Sequence, residues 1–125
     1  MNTIKIGLCV LIAGCLLCFA GCGKKANTEQ PITDVQAEAS KMNVEQLKAK
    51  AVEYKDAIVA KKAEIEKVAA KLKAIPLTEQ IGSEAKGLQT DIADLTKSLS
   101  SLNERFQVYY GKLKTMGGDV SGLGM

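Results

Sequence analysis

The chain has no histidine and no tryptophan, and its 125 residues include only two phenylalanines, three tyrosines and two prolines. Histidine is the side chain most often used as a general base and as a metal ligand, so its absence removes the commonest route to either kind of site. All four cysteines lie within the first 22 residues, which leaves no later cysteine to bridge. We therefore expect no catalytic residues, no cofactor and no metal site, and predict that the protein is not an enzyme.

Neither sign of charge dominates the chain. If the first 21 residues are removed, 16 of the 17 basic side chains remain, against 14 acidic ones. A nucleic-acid-binding protein needs a clear basic excess, so we expect no nucleic-acid partner. The length also limits the folded part to one small domain.

The first 21 residues have the pattern of a secretory signal peptide. Lys5 is their only charged residue, and an apolar run follows from Ile6 to Ala20. This run is shorter than the roughly 20 apolar residues that span a bilayer comfortably. Small residues end it, as at a signal-peptide cleavage site, and Lys24 and Lys25 follow.

The spacing Cys15-x2-Cys18-x3-Cys22 is similar to that of some metal-binding runs. A bound metal would need thiolates held in a folded and partly polar shell. The neighbouring residues are apolar or glycine, without a histidine or a carboxylate. We therefore interpret Cys9, Cys15 and Cys18 as small apolar residues of the run.

Cys22 differs because of the residues before it. The segment FAGC, which ends in Cys22, resembles the lipobox of bacterial lipoproteins, in which one bulky and two small residues precede a cysteine. The resemblance implies a diacylglyceryl group on the Cys22 thiol, cleavage before Cys22 and, commonly, an acyl group such as palmitate on the new amino group. The segment IAGC, which ends in Cys15, fits the pattern more closely, since Phe19 stands where leucine is usual. It would leave an apolar core of only about seven residues, so we predict lipidation at Cys22.

Acylation at Cys22 would make the membrane a partner of the protein. Stable anchoring takes two signals, and two or three acyl chains on one residue satisfy that requirement. The resemblance thus implies a lipid-anchored protein of the cell membrane. In bacteria with two membranes, Gly23 stands where an aspartate would favour retention in the inner membrane, so the outer membrane is favoured.

Two apolar repeats follow the polar residues 23–33, and in both the apolar residues recur at steps of three and four. The first repeat contains Val44, Leu47, Ala51, Tyr54, Ile58, Lys61, Ile65, Val68, Leu72 and Ile75. The second contains Ile81, Ala85, Leu88, Ile92, Leu95, Leu99, Leu102, Phe106, Tyr109, Leu113 and Met116. Such heptad spacing is typical of helices that pair in coiled coils.

Pro76 separates the two repeats, and it can neither donate a backbone hydrogen bond nor fit a helix interior. The step from Ile75 to Ile81 is also one residue short of a heptad. The sequence therefore predicts an all-α fold: an antiparallel two-helix coiled-coil hairpin after the signal peptide and a flexible linker. Asn43 and Thr78 are the expected N-caps of the two helices.

The predicted boundaries are a signal peptide at 1–21, the lipidated cysteine and linker at 22–42 with a helix from as early as Asp34, a hairpin at 43–116 with its turn near 75–78, and a flexible tail at 117–125. Two helix pairings satisfy the repeats. A short turn pairs Leu47 with Phe106, and a longer loop through Gly82 pairs Tyr54 with Phe106. We favour the short turn, because helix–helix connections are usually short.

Two features near the predicted seam have alternative interpretations. Lys61 could select a partner or a register, but we favour a packed stem with a solvated ammonium group. Phe106, Tyr109 and Tyr110 gather near the membrane end of the predicted hairpin. We interpret the first two as seam residues, which leaves Tyr110 unexplained.

These features predict a non-enzymatic, lipid-anchored coiled-coil protein of the cell envelope that acts as a spacer, scaffold or docking module. The partner would be an envelope protein of unknown identity or a second copy of the chain. The second interpretation is an accessory subunit of an envelope secretion or transport assembly. The chain departs from the major peptidoglycan-linked lipoproteins, which have one uninterrupted helix and a C-terminal lysine. Pro76 and Met125 stand in their place, so covalent attachment to peptidoglycan is not implied.

Overall fold

The computed structural model of the protein describes residues 26–124, and within this range the chain forms three helices and no strand. The helices are α1 (Ile32–Lys41), α2 (Val44–Ala74) and α3 (Ser83–Thr115). The predicted all-α class is therefore confirmed. The predicted signal peptide and lipidated Cys22 lie outside the described residues.

Helix α2 begins with a reciprocal cap at Asn43. The Asn43 side chain accepts a hydrogen bond from the Gln46 N–H at 2.9 Å, and the Gln46 side chain accepts one from the Asn43 N–H at 3.1 Å. This capping box satisfies two backbone donors that the first turn leaves unpaired. Asn43 is thus confirmed as an N-cap. At the other end, Ile75 is extended because it precedes Pro76.

The connection between α2 and α3 is longer than the predicted turn at 75–78. An additional turn follows Pro76, closed by hydrogen bonds from the Glu79 N–H to the Pro76 carbonyl at 2.8 Å and from the Gly82 N–H to the Glu79 carbonyl at 2.9 Å. The N-cap of α3 is Gly82, so the prediction that Thr78 would cap this helix was wrong. A Cβ at position 82 would lie 3.0 Å from the Glu79 oxygen, so glycine permits the close approach that closes this turn.

Helices α2 and α3 pack against each other along their apolar repeats. The rings of Tyr54 and Tyr109 lie 5.4 Å apart between centroids, and Ile58 shares a cavity with Leu99. Tyr54 precedes Ile58 on α2, whereas Tyr109 follows Leu99 on α3, so the two helices run in opposite directions at these contacts. These two contacts match neither of the predicted pairings, which place Leu47 or Tyr54 opposite Phe106.

Helix α1 turns part of the predicted linker into a packed element. It packs on α3 and buries Val35 and Ala39. The helix starts at Ile32, two residues before the expected Asp34, and its N-cap is Pro31 without a side-chain cap. The sequence thus predicted that a helix could begin in this segment, but it did not indicate that the helix packs on α3.

The predicted flexible tail also packs on the body of the protein. Leu123 is only 2% exposed, and the Lys48 ammonium lies 2.8 Å from the Asp119 carboxylate. Gly117 and Gly122 adopt positive φ angles of 71° and 76°, which glycine tolerates and which turn the tail. The sequence did not indicate these contacts, because glycines that form specific turns look the same in sequence as glycines of a flexible chain.

The described residues divide into two regions that differ in burial. We call residues 26–58 and 99–124 the base and residues 59–98 the stalk. The base contains a continuous buried core, formed by Val35, Ala39, Leu47, Ala51, Tyr54, Ile58, Leu102, Phe106, Tyr109, Leu113 and Leu123. In the stalk, Ala85 is the one buried residue, and the other apolar residues of the repeats are half-buried, apart from exposed Ile81.

Candidate functional site

The N-terminal segment of the described chain crosses the base and is held by both long helices. We call residues 26–31 the strap. The Tyr54 hydroxyl on α2 lies 3.3 Å from both the backbone nitrogen and the carbonyl oxygen of Asn27. Arg105 on α3 donates a hydrogen bond to the Gln30 carbonyl. The strap is therefore fixed at two points before α1 begins.

Arg105 is the buried charge of the base, with 6% of its surface exposed. One terminal nitrogen donates to Gln30, and the other donates to the Ser101 carbonyl at 2.9 Å. Its Nε is buried and has no partner. Burying a charge costs free energy unless hydrogen bonds compensate it, so the carbonyl of the strap stabilises the guanidinium as much as Arg105 stabilises the strap.

Repeat patterns did not reveal this role of Arg105, because a charged residue beside a seam position usually faces solvent. One signal was present in the sequence. Arg105 is the single arginine among 17 basic residues. A guanidinium can bind two carbonyl oxygens in a fixed geometry, which a lysine ammonium does not reproduce, and this explains the arginine at that position.

A cavity of about 500 Å³ lies under the strap, lined by Ala26, Asn27, Thr28, Glu29, Gln30, Glu38, Lys50, Tyr54 and Tyr109. Burial raises the pKa of Tyr109, and the nearby carboxylate of Glu38 raises it further. Burial also raises the pKa of Tyr54. Both hydroxyls are therefore neutral hydrogen-bonding groups near neutral pH.

A second, more open cavity of about 660 Å³ lies where the strap meets the lower stalk. Its apolar wall is formed by Ala26, Ala57, Ala60 and Leu102. Glu53 lines its edge, with one carboxylate oxygen 3.0 Å from the Lys50 ammonium and the other buried without a partner. The base thus offers polar and apolar surface side by side, next to the point where the described chain begins.

The residues singled out near the seam have ordinary packing roles. The Lys61 ammonium lies 2.7 Å from the Glu64 carboxylate at the edge of α2, as expected for a packed stem with a solvated head. Tyr110 is half-buried and stacks on Phe106 with 5.5 Å between ring centroids. The aromatic cluster therefore belongs to the wall of the base.

Two searches of residues 26–124 bear on the nature of the site. In that range, no group of three histidine, cysteine, aspartate or glutamate side chains could hold a metal ion. The same range contains no helix that is long and apolar enough to cross a bilayer. Comparison with known proteins gave no matching family model, no matching curated protein and no matching solved structure.

Proposed function

We propose that the protein is a lipid-anchored cell-envelope protein in which an antiparallel coiled-coil hairpin serves as a spacer, scaffold or docking module without enzymatic activity. The observation that carries this proposal is the lipobox-like segment FAGC, which places Cys22 four residues before the strap. Acyl chains on Cys22 would hold the base at a membrane surface. The proposal favours the outer membrane where the cell has two.

The geometry of the strap supports this arrangement. Ala26 belongs to the base, and Tyr54 and Arg105 tie the next residues to both long helices. The four residue steps from Cys22 to Ala26 span at most about 14 Å, so an anchored Cys22 would keep the base close to the lipid. The connection at 75–82 then lies at the far end of the stalk, about 46 Å from the start of α2 if measured by the 31 residues of that helix.

Metabolic labelling with a palmitate analogue tests the anchor. We expect label on the wild-type protein and none on Cys22→Ser, because the thiol is the first site of acylation in the proposed chemistry. The matched control is Cys15→Ser, which keeps FAGC intact and should label like wild type. Label that persists in Cys22→Ser and disappears in Cys15→Ser would show that IAGC is the functional box.

A second candidate function is that of an accessory subunit in an envelope secretion or transport assembly. It is favoured by the stalk, whose apolar repeat is only half-buried by two helices, and by the exposed side chains of Val52 and Val59 on α2. A groove-binding helix from a partner would cover such surface. Light scattering of residues 23–125 separates the two: a stable monomer or dimer favours the spacer, and aggregation favours the subunit.

A further inference from the structure

Within residues 26–124, the two large apolar side chains with the highest exposure lie in the connection between α2 and α3. Leu77 is 83% exposed and Ile81 is 82% exposed. They lie in the successive turns that follow Pro76, at the end of the stalk farthest from the base. We call residues 75–82 the tip.

These side chains do not contribute to the core. Single exposed apolar residues are common and need no explanation, but a turn requires neither a leucine nor an isoleucine. Pro76 and Gly82 supply the residue types that this additional turn needs at its beginning and its end. Two exposed aliphatic side chains at one convex end therefore indicate a contact outside the chain.

Basic side chains outnumber acidic ones near the tip, with four lysines and two glutamates in residues 67–86. Lys67, Lys71 and Lys73 are exposed on the last two turns of α2, and we call them the basic collar. The two exposed glutamates are Glu79, within the tip, and Glu84, in the first turn of α3. The three ion pairs of the described residues involve other lysines. An apolar point above a basic collar matches an anionic lipid surface, in which side chains enter the interface and lysines contact headgroups.

The small area of the tip favours lipid over a protein partner. A standard protein interface buries about 800 Å² on each side, far more than two aliphatic side chains supply. A convex point would also need a matching pocket on a protein, whereas a bilayer interface adapts to it. A protein contact through the tip alone is therefore disfavoured.

We propose that the tip inserts Leu77 and Ile81 into an anionic bilayer opposite to the membrane that holds the base. This inference rests on the proposed anchoring at Cys22. The protein then bridges two bilayers across the combined length of the base and the stalk. The basic collar gives the contact a dependence on anionic lipid and on salt, because screening weakens exposed charge interactions.

Vesicle capture by the full-length acylated protein tests the proposal. The protein is incorporated into phosphatidylcholine donor vesicles and mixed with fluorescent acceptor vesicles that lack protein and contain phosphatidylglycerol. We expect the donors to capture these acceptors, and to capture phosphatidylcholine acceptors weakly. Leu77→Ser combined with Ile81→Ser should reduce capture by about tenfold or more, since each buried aliphatic side chain contributes an effect of that order.

The matched control replaces two exposed apolar residues outside the tip, as Val52→Ser with Val59→Ser, and should leave capture unchanged. Lys71→Gln with Lys73→Gln should lower capture and flatten its salt dependence. Capture that survives the tip variant would overturn the proposal. Capture that requires protein on both vesicle populations would overturn it too, in favour of contact between two copies.

Flotation of the donor vesicles separates failure of the anchor from failure of the tip. Wild-type protein that does not float with the donors contradicts anchoring at Cys22. Protein that floats but captures no acceptor contradicts the tip proposal alone. Circular dichroism of the tip variant checks its fold, which we expect to be unchanged because both side chains are exposed.

Discussion

The base and the stalk use the same apolar repeat on the same two helices, yet the repeat is buried in one and half-buried in the other. In the base, α1 packs against α3, and the tail packs along α2. In the stalk, α2 and α3 have only each other, so each apolar side chain is covered on one side. The apolar repeat of these two helices is therefore fully buried only where α1 and the tail cover it.

The largest expected effect comes from truncating a leucine in each region. Leu113 in the base is fully buried, and Leu95 in the stalk is half-buried. We expect Leu113→Ala to lower the free energy of unfolding by about 2–5 kcal/mol, as for other buried leucines. Leu95→Ala should cost less, because less surface returns to water. Urea unfolding of residues 23–125, followed by circular dichroism, measures both.

Exposed Ser100 provides the control for these truncations. Ser100→Ala should change the free energy of unfolding by no more than about 0.5 kcal/mol. Equal costs for Leu113→Ala and Leu95→Ala would contradict the division into a packed base and a lightly packed stalk. A second copy that covers the stalk would produce that result.

Substitutions of one glycine in the base and one in the stalk should change the free energy of unfolding by smaller amounts. A Cβ at position 118 would overlap the Leu113 side chain and lie 2.9 Å from Val44 Cγ1, so Gly118→Ala should cost about 1–3 kcal/mol through overpacking. Gly87 in the stalk has no atom within 4 Å of such a Cβ. Gly87→Ala should therefore stabilise α3 by about 0.5–1 kcal/mol. Thermal unfolding of both variants gives the two signs, and a neutral Gly118→Ala would show that the tail is loosely held.

A further expected effect is a pH dependence of stability that arises in the base. Burial raises the pKa of Tyr109, so the folded state keeps this proton above pH 10, where the unfolded state loses it. Stability therefore falls as pH rises beyond about 10. Tyr109→Phe removes the group and should be more stable than wild type at pH 11 by up to about 1.4 kcal/mol. Urea midpoints at pH 8 and pH 11 measure the difference, and identical pH dependence in the two proteins would show that Tyr109 reaches solvent.

The helical repeats and the cap at Asn43 could be predicted because they depend on local spacing. Every predicted seam residue within α2 and α3 is buried or half-buried. The strap, the tail and Arg105 depend on contacts between residues 27 to 75 positions apart, such as Asn27 with Tyr54 and Gln30 with Arg105. No periodicity reports such pairs, and for this reason composition alone suggested flexible ends.

The length of the connection between α2 and α3 could not be predicted from the local sequence pattern either. Pro76 marked the end of α2, but one more turn fits after it because Gly82 permits the backbone to close on Glu79. Helix pairing depends on that turn. A preference for short connections therefore placed the start of α3 too early, although the apolar positions of the repeats were identified well.

The hydrogen bond from Arg105 to the Gln30 carbonyl determines where a pulling force on the N-terminal chain would be transmitted to the fold. Tension on the chain ahead of Ala26 reaches α2 through Tyr54 and α3 through Arg105 before it reaches α1. Both points of entry lie in the base, so the stalk is outside the path of the force. The stalk can therefore bend without loading the contacts that hold the strap to the base.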